Sequence, residues 1–177
     1  MTDETSARCA PTIRDATEND IQAILEIYNE VIANTTAVYR ELPASFADRE
    51  TWWRERRRQS LPVLVAVDAG EVVGFASFGE FRAWPCYRHT VEHSVHVRAD
   101  RRGRGIGSAL VGALLPIAAS LGKHVMIAAV DAANVGSISM HEKLGFQQVA
   151  HLREVGRKFD RWLDLVFLQR AVSPLRD

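Results

Sequence analysis

The sequence predicts an α/β protein, a central sheet of mixed strand direction flanked by helices. Three observations carry this prediction. Strand-like and helix-like segments follow the order β-α-α-β-β-β-α-β-α-β-β. Three strand patterns lie side by side in the middle of the chain, which a doubly wound fold, alternating strand and helix strictly, would not produce. The length of 177 residues, with 47% apolar and 25% charged residues, suits one globular domain. Such a chain buries about 70% of its unfolded surface and needs no covalent staples.

Residues 1–10 form a polar lead, the domain occupies 11–172, and 173–177 are a tail. Ile13 to Ala16 reads as an edge strand. Thr17, with an acid three residues on, opens a helix whose apolar positions (Ile21, Ile24, Leu25, Tyr28, Val31, Ile32) recur at helical spacing as far as Asn34. Ser45 opens a second helix bearing Trp52, Trp53 and the run Arg54 to Arg58. Pro62–Val67 and Glu71–Phe78 read as a hairpin joined at Asp68-Ala69-Gly70. Arg82 to Arg88 is a loop, and Thr90–Val97 is a strand. Ser108–Leu121 is an apolar helix with Leu110, Leu114, Ile117, Ala118 and Leu121 on one side, closed by Gly122. Pro116 inside it removes one hydrogen bond and predicts a kink. Lys123–Val130 is a strand, Asn134–Leu144 a short helix closed by Gly145, and Phe146–Leu152 and Trp162–Leu168 are the last strands.

Lys plus Arg and Asp plus Glu both number 22, so the net charge is zero. That argues against a dedicated nucleic-acid or membrane-surface binder. Cys9 and Cys86 read as free thiols of a reducing cytosol, with a single bridge between them left open. The acidic N-terminus has no apolar secretory segment, and no stretch reaches the ~20 apolar residues of a membrane span. A cytoplasmic location is expected.

The strongest chemical feature runs from Val95 to Leu110. A strand enters a turn with glycines at 103, 105 and 107 and arginines at 101, 102 and 104, and the turn opens a helix. Glycines let the backbone approach a ligand and free several N–H groups, while the helix N-terminus and the arginines add positive charge. This is the physics of a pyrophosphate cradle. It is not a P-loop, since no Gly-Lys-Ser/Thr closes it, and it comes too late in the chain for a dinucleotide fingerprint.

Arg102-x-x-Gly105-x-Gly107, together with Asn134-x-x-Ser137-x-x-x-His141-Glu-Lys-Leu-Gly145-Phe146, resembles the signature of the GNAT superfamily of acyl-CoA-dependent N-acetyltransferases. The likeness extends over roughly residues 12–170. Asn34-Thr35-Thr36, Thr90 to Val97, Met140 to Phe146 and Gly156 to Asp164 narrow it further, to the branch that acetylates phosphinothricin and methionine sulfoximine. The resemblance implies a single domain with a mixed, mostly antiparallel sheet, acetyl-CoA as co-substrate, no metal, and a homodimer. It also implies that the α-amine of a small amino-acid analogue is acetylated, a detoxifying reaction. Val95, His96, Val97, Arg102, Gly103, Arg104, Gly105, Ile106, Gly107, Ser108, Asn134 and Ser137 are then the cofactor residues.

The chemistry of the residues fits this assignment. Strand alternation places Glu92, Ser94 and His96 on one face and Val91, His93, Val95 and Val97 on the other. An α-ammonium must lose a proton before it attacks a thioester, and Glu92 is the candidate base, directly or through water. A backbone N–H between Val95 and Val97 is the candidate oxyanion donor. His141 stands where most of the superfamily has tyrosine and is the candidate general acid for the thiolate. A substrate carboxylate suits an arginine fork, with Arg82 and Arg88 as candidates. Trp84, Tyr39, Lys158 and Trp162 complete the candidate substrate pocket.

Competing readings are weaker. His89, His93 and His96 suggest zinc, but parity puts His93 and His96 on opposite faces with no fourth ligand near. The run Arg54 to Arg58 lacks interleaved aromatics and reads as a solvated helix face. Trp52 and Trp53 read as core or dimer contacts. Acetylation of a protein N-terminus, lysine or polyamine is the alternative activity, and for a polyamine the basic loop Arg82–Arg88 has the wrong sign. A non-catalytic CoA-binding module would be expected to lack Glu92 or His141, and both are present.

Overall fold

The computed structural model describes residues 10–172. Most of the lead, including Cys9, and the tail 173–177 lie outside the described residues. The strands are β1 (Thr12–Asp15), β2 (Val63–Asp68), β3 (Glu71–Glu80), β4 (Thr90–Val97), β5 (Val125–Asp131), β6 (Gln147–Lys158) and β7 (Arg161–Ala171). The helices are α1 (Ile21–Asn34), α2 (Phe46–Arg58), α3 (Ile106–Ser120) and α4 (Val135–Lys143). The strands form one sheet in the order β1-β2-β3-β4-β5-β7-β6. Every neighbouring pair is antiparallel except β4–β5. The mixed, mostly antiparallel α/β sheet is therefore as expected.

Side-chain alternation gives the sheet two apolar faces. On one, Phe75 and Val65 pack against Ile21, Ile24 and Ile27 of α1 and Trp53 of α2. On the other, Phe78, Val91, Met126 and Leu168 pack against Ile106, Leu110, Val111 and Leu114 of α3. Ile138 and Met140 of α4 join this second core. Burying each such aliphatic or aromatic side chain contributes roughly 1.5–3 kcal/mol.

The start of α1 is built on Asp20. Its carboxylate accepts hydrogen bonds from Thr17 N at 2.7 Å and Thr17 Oγ1 at 2.9 Å. Arg14 donates two more, at 2.7 and 2.8 Å. Thr17 thus caps a short 3-10 turn, Glu18–Asp20, from which α1 continues. At α2, Ser45 and Asp48 form the equivalent reciprocal cap.

Some boundaries differ from the sequence reading. α3 begins at Ile106, two residues early, because Gly105 adopts φ +78° and turns the chain directly into the helix. Its buried face is Ile106, Leu110, Val111, Leu114 and Ala118, while Leu121 at its end is exposed. The helix continues past Pro116 to Ser120. β6 and β7 are longer than expected. The added residues of β6 are mostly exposed, with Lys158 buried at its end, and β6 is broken by two bulges, which erases the alternating pattern. Asp164 of β7 supports the larger bulge, accepting from Glu154 N at 2.9 Å and contacting His151 Nε2 at 2.8 Å.

Candidate active site

β3 and β4 stay paired from Gly74↔Val97 to Glu80↔Val91. On its other side β4 pairs with β5 only from Thr90↔Val125 to His93↔Ala128. β5 continues beside β7 to Asp131↔Leu165. The two parallel strands therefore part after His93, leaving Ser94–Val97 without a strand partner on that side. Two cavities of about 540 and 490 Å³ meet at this opening, sharing Ala37, Val95, His96, Asn134 and Ser137 as walls.

The smaller cavity is lined by Val97, Arg101, Arg102, Gly103 and Gly105 to Ser108, with Val31 and Thr35 opposite. Gly103 and Gly105 have φ of +74° and +78°, a region where L side chains are strained. Gly107 packs so close to α4 that a Cβ would meet Met140 Sδ at 3.0 Å. Arg102 is held by the protein: its Nε donates to the Val97 carbonyl at 2.9 Å and its Nη2 to Glu30 at 3.0 and 3.1 Å. Arg104 is exposed and outside the lining of this cavity. Asn134 caps α4, its Oδ1 accepting from Ser137 N at 3.1 Å.

All of Glu92 to His96 line the larger cavity, including His93 and Val95 from the face opposite Glu92, Ser94 and His96. Burial pushes the Glu92 carboxyl above its usual range, and the charge of Arg82 opposes that shift. His96 is buried between Phe75, at 5.1 Å, and Tyr28, at 5.7 Å, and burial lowers its pKa to about 4. Tyr28, Arg49, Trp52 and Tyr39 form the opposite wall. The Tyr39 hydroxyl donates to the Asp164 carbonyl at 3.1 Å, and its ring lies against Gly156. Asp131 also faces this cavity, and its Oδ2 is buried with no partner among the described residues.

His141 reaches the larger cavity from α4, but both its ring nitrogens are engaged. Nδ1 lies 2.7 Å from the Ser137 carbonyl, so it carries the proton. Nε2 is 3.1 Å from His93 Nε2 and must accept from it. The pair is buried, which holds His93 down to about 3 and lowers His141 as well.

The remaining substrate candidates lie elsewhere. Lys158 is buried, with its Nζ donating to the carbonyls of Ile32, Thr35 and Val38 at 2.7, 2.8 and 2.8 Å. Arg82 stacks on Phe81 and donates to its carbonyl. Trp84 and Trp162 are 74% and 61% exposed and line neither cavity. Trp53 is a core residue, whereas Trp52 lines the larger cavity. Arg49, Tyr28, Phe75 and Asp131 were not marked as site residues in the sequence, because single residues on a mixed helix face or in a buried strand carry no local signal of a cavity. No cluster of three or more His, Cys, Asp or Glu able to hold a metal occurs among the described residues.

Residues 22–146 match the model of the acetyltransferase (GNAT) family. The chain belongs to this family. It is an N-acetyltransferase of the GNAT family. It is 48% identical over 166 residues to the L-methionine sulfoximine/L-methionine sulfone acetyltransferase of Pseudomonas paraeruginosa, spanning 93% of this chain and 96% of that one. An acetyltransferase of Salmonella typhimurium, solved with its cofactor acetyl-CoA, superposes with TM-score 0.92 at 40% identity, covering 96% of this chain and 98% of that one. A ribosomal-protein-alanine N-acetyltransferase of Brucella melitensis superposes with TM-score 0.89 at 44% identity, covering 90% and 99%. No helix among the described residues is long and apolar enough to cross a membrane.

Proposed function

We propose that the protein acetylates the α-amine of a small amino-acid analogue such as methionine sulfoximine, methionine sulfone or phosphinothricin. The observation that carries this reading is the meeting of two cavities at the β4–β5 split, one walled by the glycine turn and the other by Glu92. The glycine-walled cavity suits acetyl-CoA: two left-handed glycines free backbone N–H groups at the N-terminus of α3, where phosphate charge is favoured. Acetyl-CoA supplies the acetyl group as a thioester. The other cavity, about 540 Å³ and enclosed by side chains from α1, α2, β4 and β5, is of a size for an amino acid. The Pseudomonas relative, named for such substrates, matches over nearly the whole chain.

In this reading Glu92 takes the proton of the substrate ammonium, and its raised pKa brings it closer to that task. The unpaired edge of β4 between Ser94 and Val97 offers backbone N–H groups to the developing oxyanion. The acid role expected of His141 is not essential. A neutral imidazole bonded to Ser137 and His93 has no spare acidic proton, and an alkyl thiol near the cysteine value of about 8.5 departs readily as thiolate. The protein works without a bound metal, as a homodimer in the cytoplasm where acetyl-CoA is used.

The Brucella structure favours one second reading, acetylation of a protein N-terminus. Thiol release from acetyl-CoA separates the two. Methionine sulfoximine, phosphinothricin, methionine, spermidine and an alanine-terminated peptide serve as acceptors. Turnover on the first two supports the proposal. Turnover confined to the peptide or spermidine overturns it.

A further inference from the structure

Arg49 is the one Lys or Arg among the described residues that line the Glu92 cavity. It projects from α2, with its guanidinium 4.1 Å from the Tyr28 ring centre and 4.8 Å from that of Trp52. Those rings attract its charge, but they are not conventional acceptors for its five N–H donors. Its Nε is buried without a partner, and no ion pair of Arg49 occurs among the described residues. The neighbouring Asp48 is engaged elsewhere, capping α2 at Ser45 and facing Arg40. Burial works against its charge, yet an arginine remains protonated. A permanent cation held against aromatic faces, partly desolvated and without an ion pair among the described residues, faces the same space as the candidate base.

From this placement we infer that Arg49 binds an oxyanion of the acceptor substrate, so that the amine is presented to Glu92 while the acidic end is gripped from α2. This rests on the amino-acid reading above and moves the anionic subsite from the exposed loop at Arg82 into the cavity. Two groups on methionine sulfoximine share the required chemistry: the α-carboxylate and the oxygen of the tetrahedral sulfur centre. An Arg fork suits the planar carboxylate with two parallel hydrogen bonds and the sulfur-borne oxygen with one.

The test is steady-state acetylation by wild type, Arg49→Met and Arg49→Gln with three acceptors: methionine sulfoximine, its carboxamide, and methionine. Acetyl-CoA affinity by calorimetry and the thermal midpoint monitor folding. Arg49→Met is expected to raise KM for methionine sulfoximine by about ten- to a hundredfold, the range for a hydrogen bond to a charged group, with acetyl-CoA binding unchanged. If the carboxylate is the partner, wild type and variant converge on the carboxamide. If the sulfur-borne oxygen is, they converge on methionine. Arg49→Gln, polar but uncharged, gives the same reading should the Met variant not fold. An unmoved KM, or one equal penalty on all three acceptors, overturns the inference and leaves the amino-acid reading standing. Wild type inactive on all three sinks that reading first, and this one with it.

Discussion

Lys158 shows how a residue can matter to a site without lining it. Its three N–H donors meet three carbonyls, and those carbonyls belong to the end of α1 and the segment 35–38 that walls both cavities. Replacement by methionine leaves buried acceptors unsatisfied, so Lys158→Met should cost about 3 kcal/mol in urea unfolding and weaken acetyl-CoA binding together. A variant unchanged in both would show that the segment is held by other means. The sequence reading placed Lys158 in the substrate pocket, whereas it lines neither cavity and is spent on carbonyls more than a hundred residues away, which no local pattern reveals. His141 is similar. Its contacts with Ser137 and His93 predict that His141→Asn lowers kcat less than tenfold. A loss of a hundredfold or more would restore it as an essential acid.

Among the elements, those defined by local chemistry were the most legible. Thr17 and Ser45 announce helices through side chains that bond the first turn, and both reciprocal caps are present. The cap of α1 carries a pH signature. Arg14 and Thr17 lower the Asp20 pKa from 3.8 to about 2. A lowered folded pKa stabilises above the unfolded value and ceases to as pH falls through the folded one. Asp20→Asn should therefore cost about 1–2 kcal/mol at pH 7, discounted because Arg14 is half-exposed, and almost nothing at pH 2. Urea midpoints at the two pH values read this directly. A pH-independent cost would place the contribution in packing. The β6–β7 hairpin was the least legible element. Its turn residues Phe159 and Asp160 both have φ above +50° or close to it, at 50° and 58°, without the Asn-Gly signal such turns usually carry.

At the scale of the molecule, element order and strand parity were readable because they follow from periodicity. The split between β4 and β5 was not, since it depends on where two strands distant in sequence stop pairing. The same long-range assembly brings α2, and so Arg49, to the site. The fold also keeps His93 and His96 neutral, with pKa values near 3 and 4. Unfolded, both take up protons below about 6.5, so stability is full above that pH and declines as pH falls toward the folded values, by about 2 kcal/mol per histidine at pH 5. His96→Phe, which keeps the ring contact with Phe75, should flatten part of that decline, and an unchanged slope would assign it to other groups. The most direct test of the account is thiol release with methionine sulfoximine by wild type and Glu92→Gln from pH 5 to pH 9. The account predicts that the variant loses roughly a hundred- to ten-thousandfold in kcat with acetyl-CoA affinity intact. It also predicts that the wild-type rate falls on the acid side around a pKa above the ordinary glutamate value. A variant that keeps the wild-type rate would contradict it.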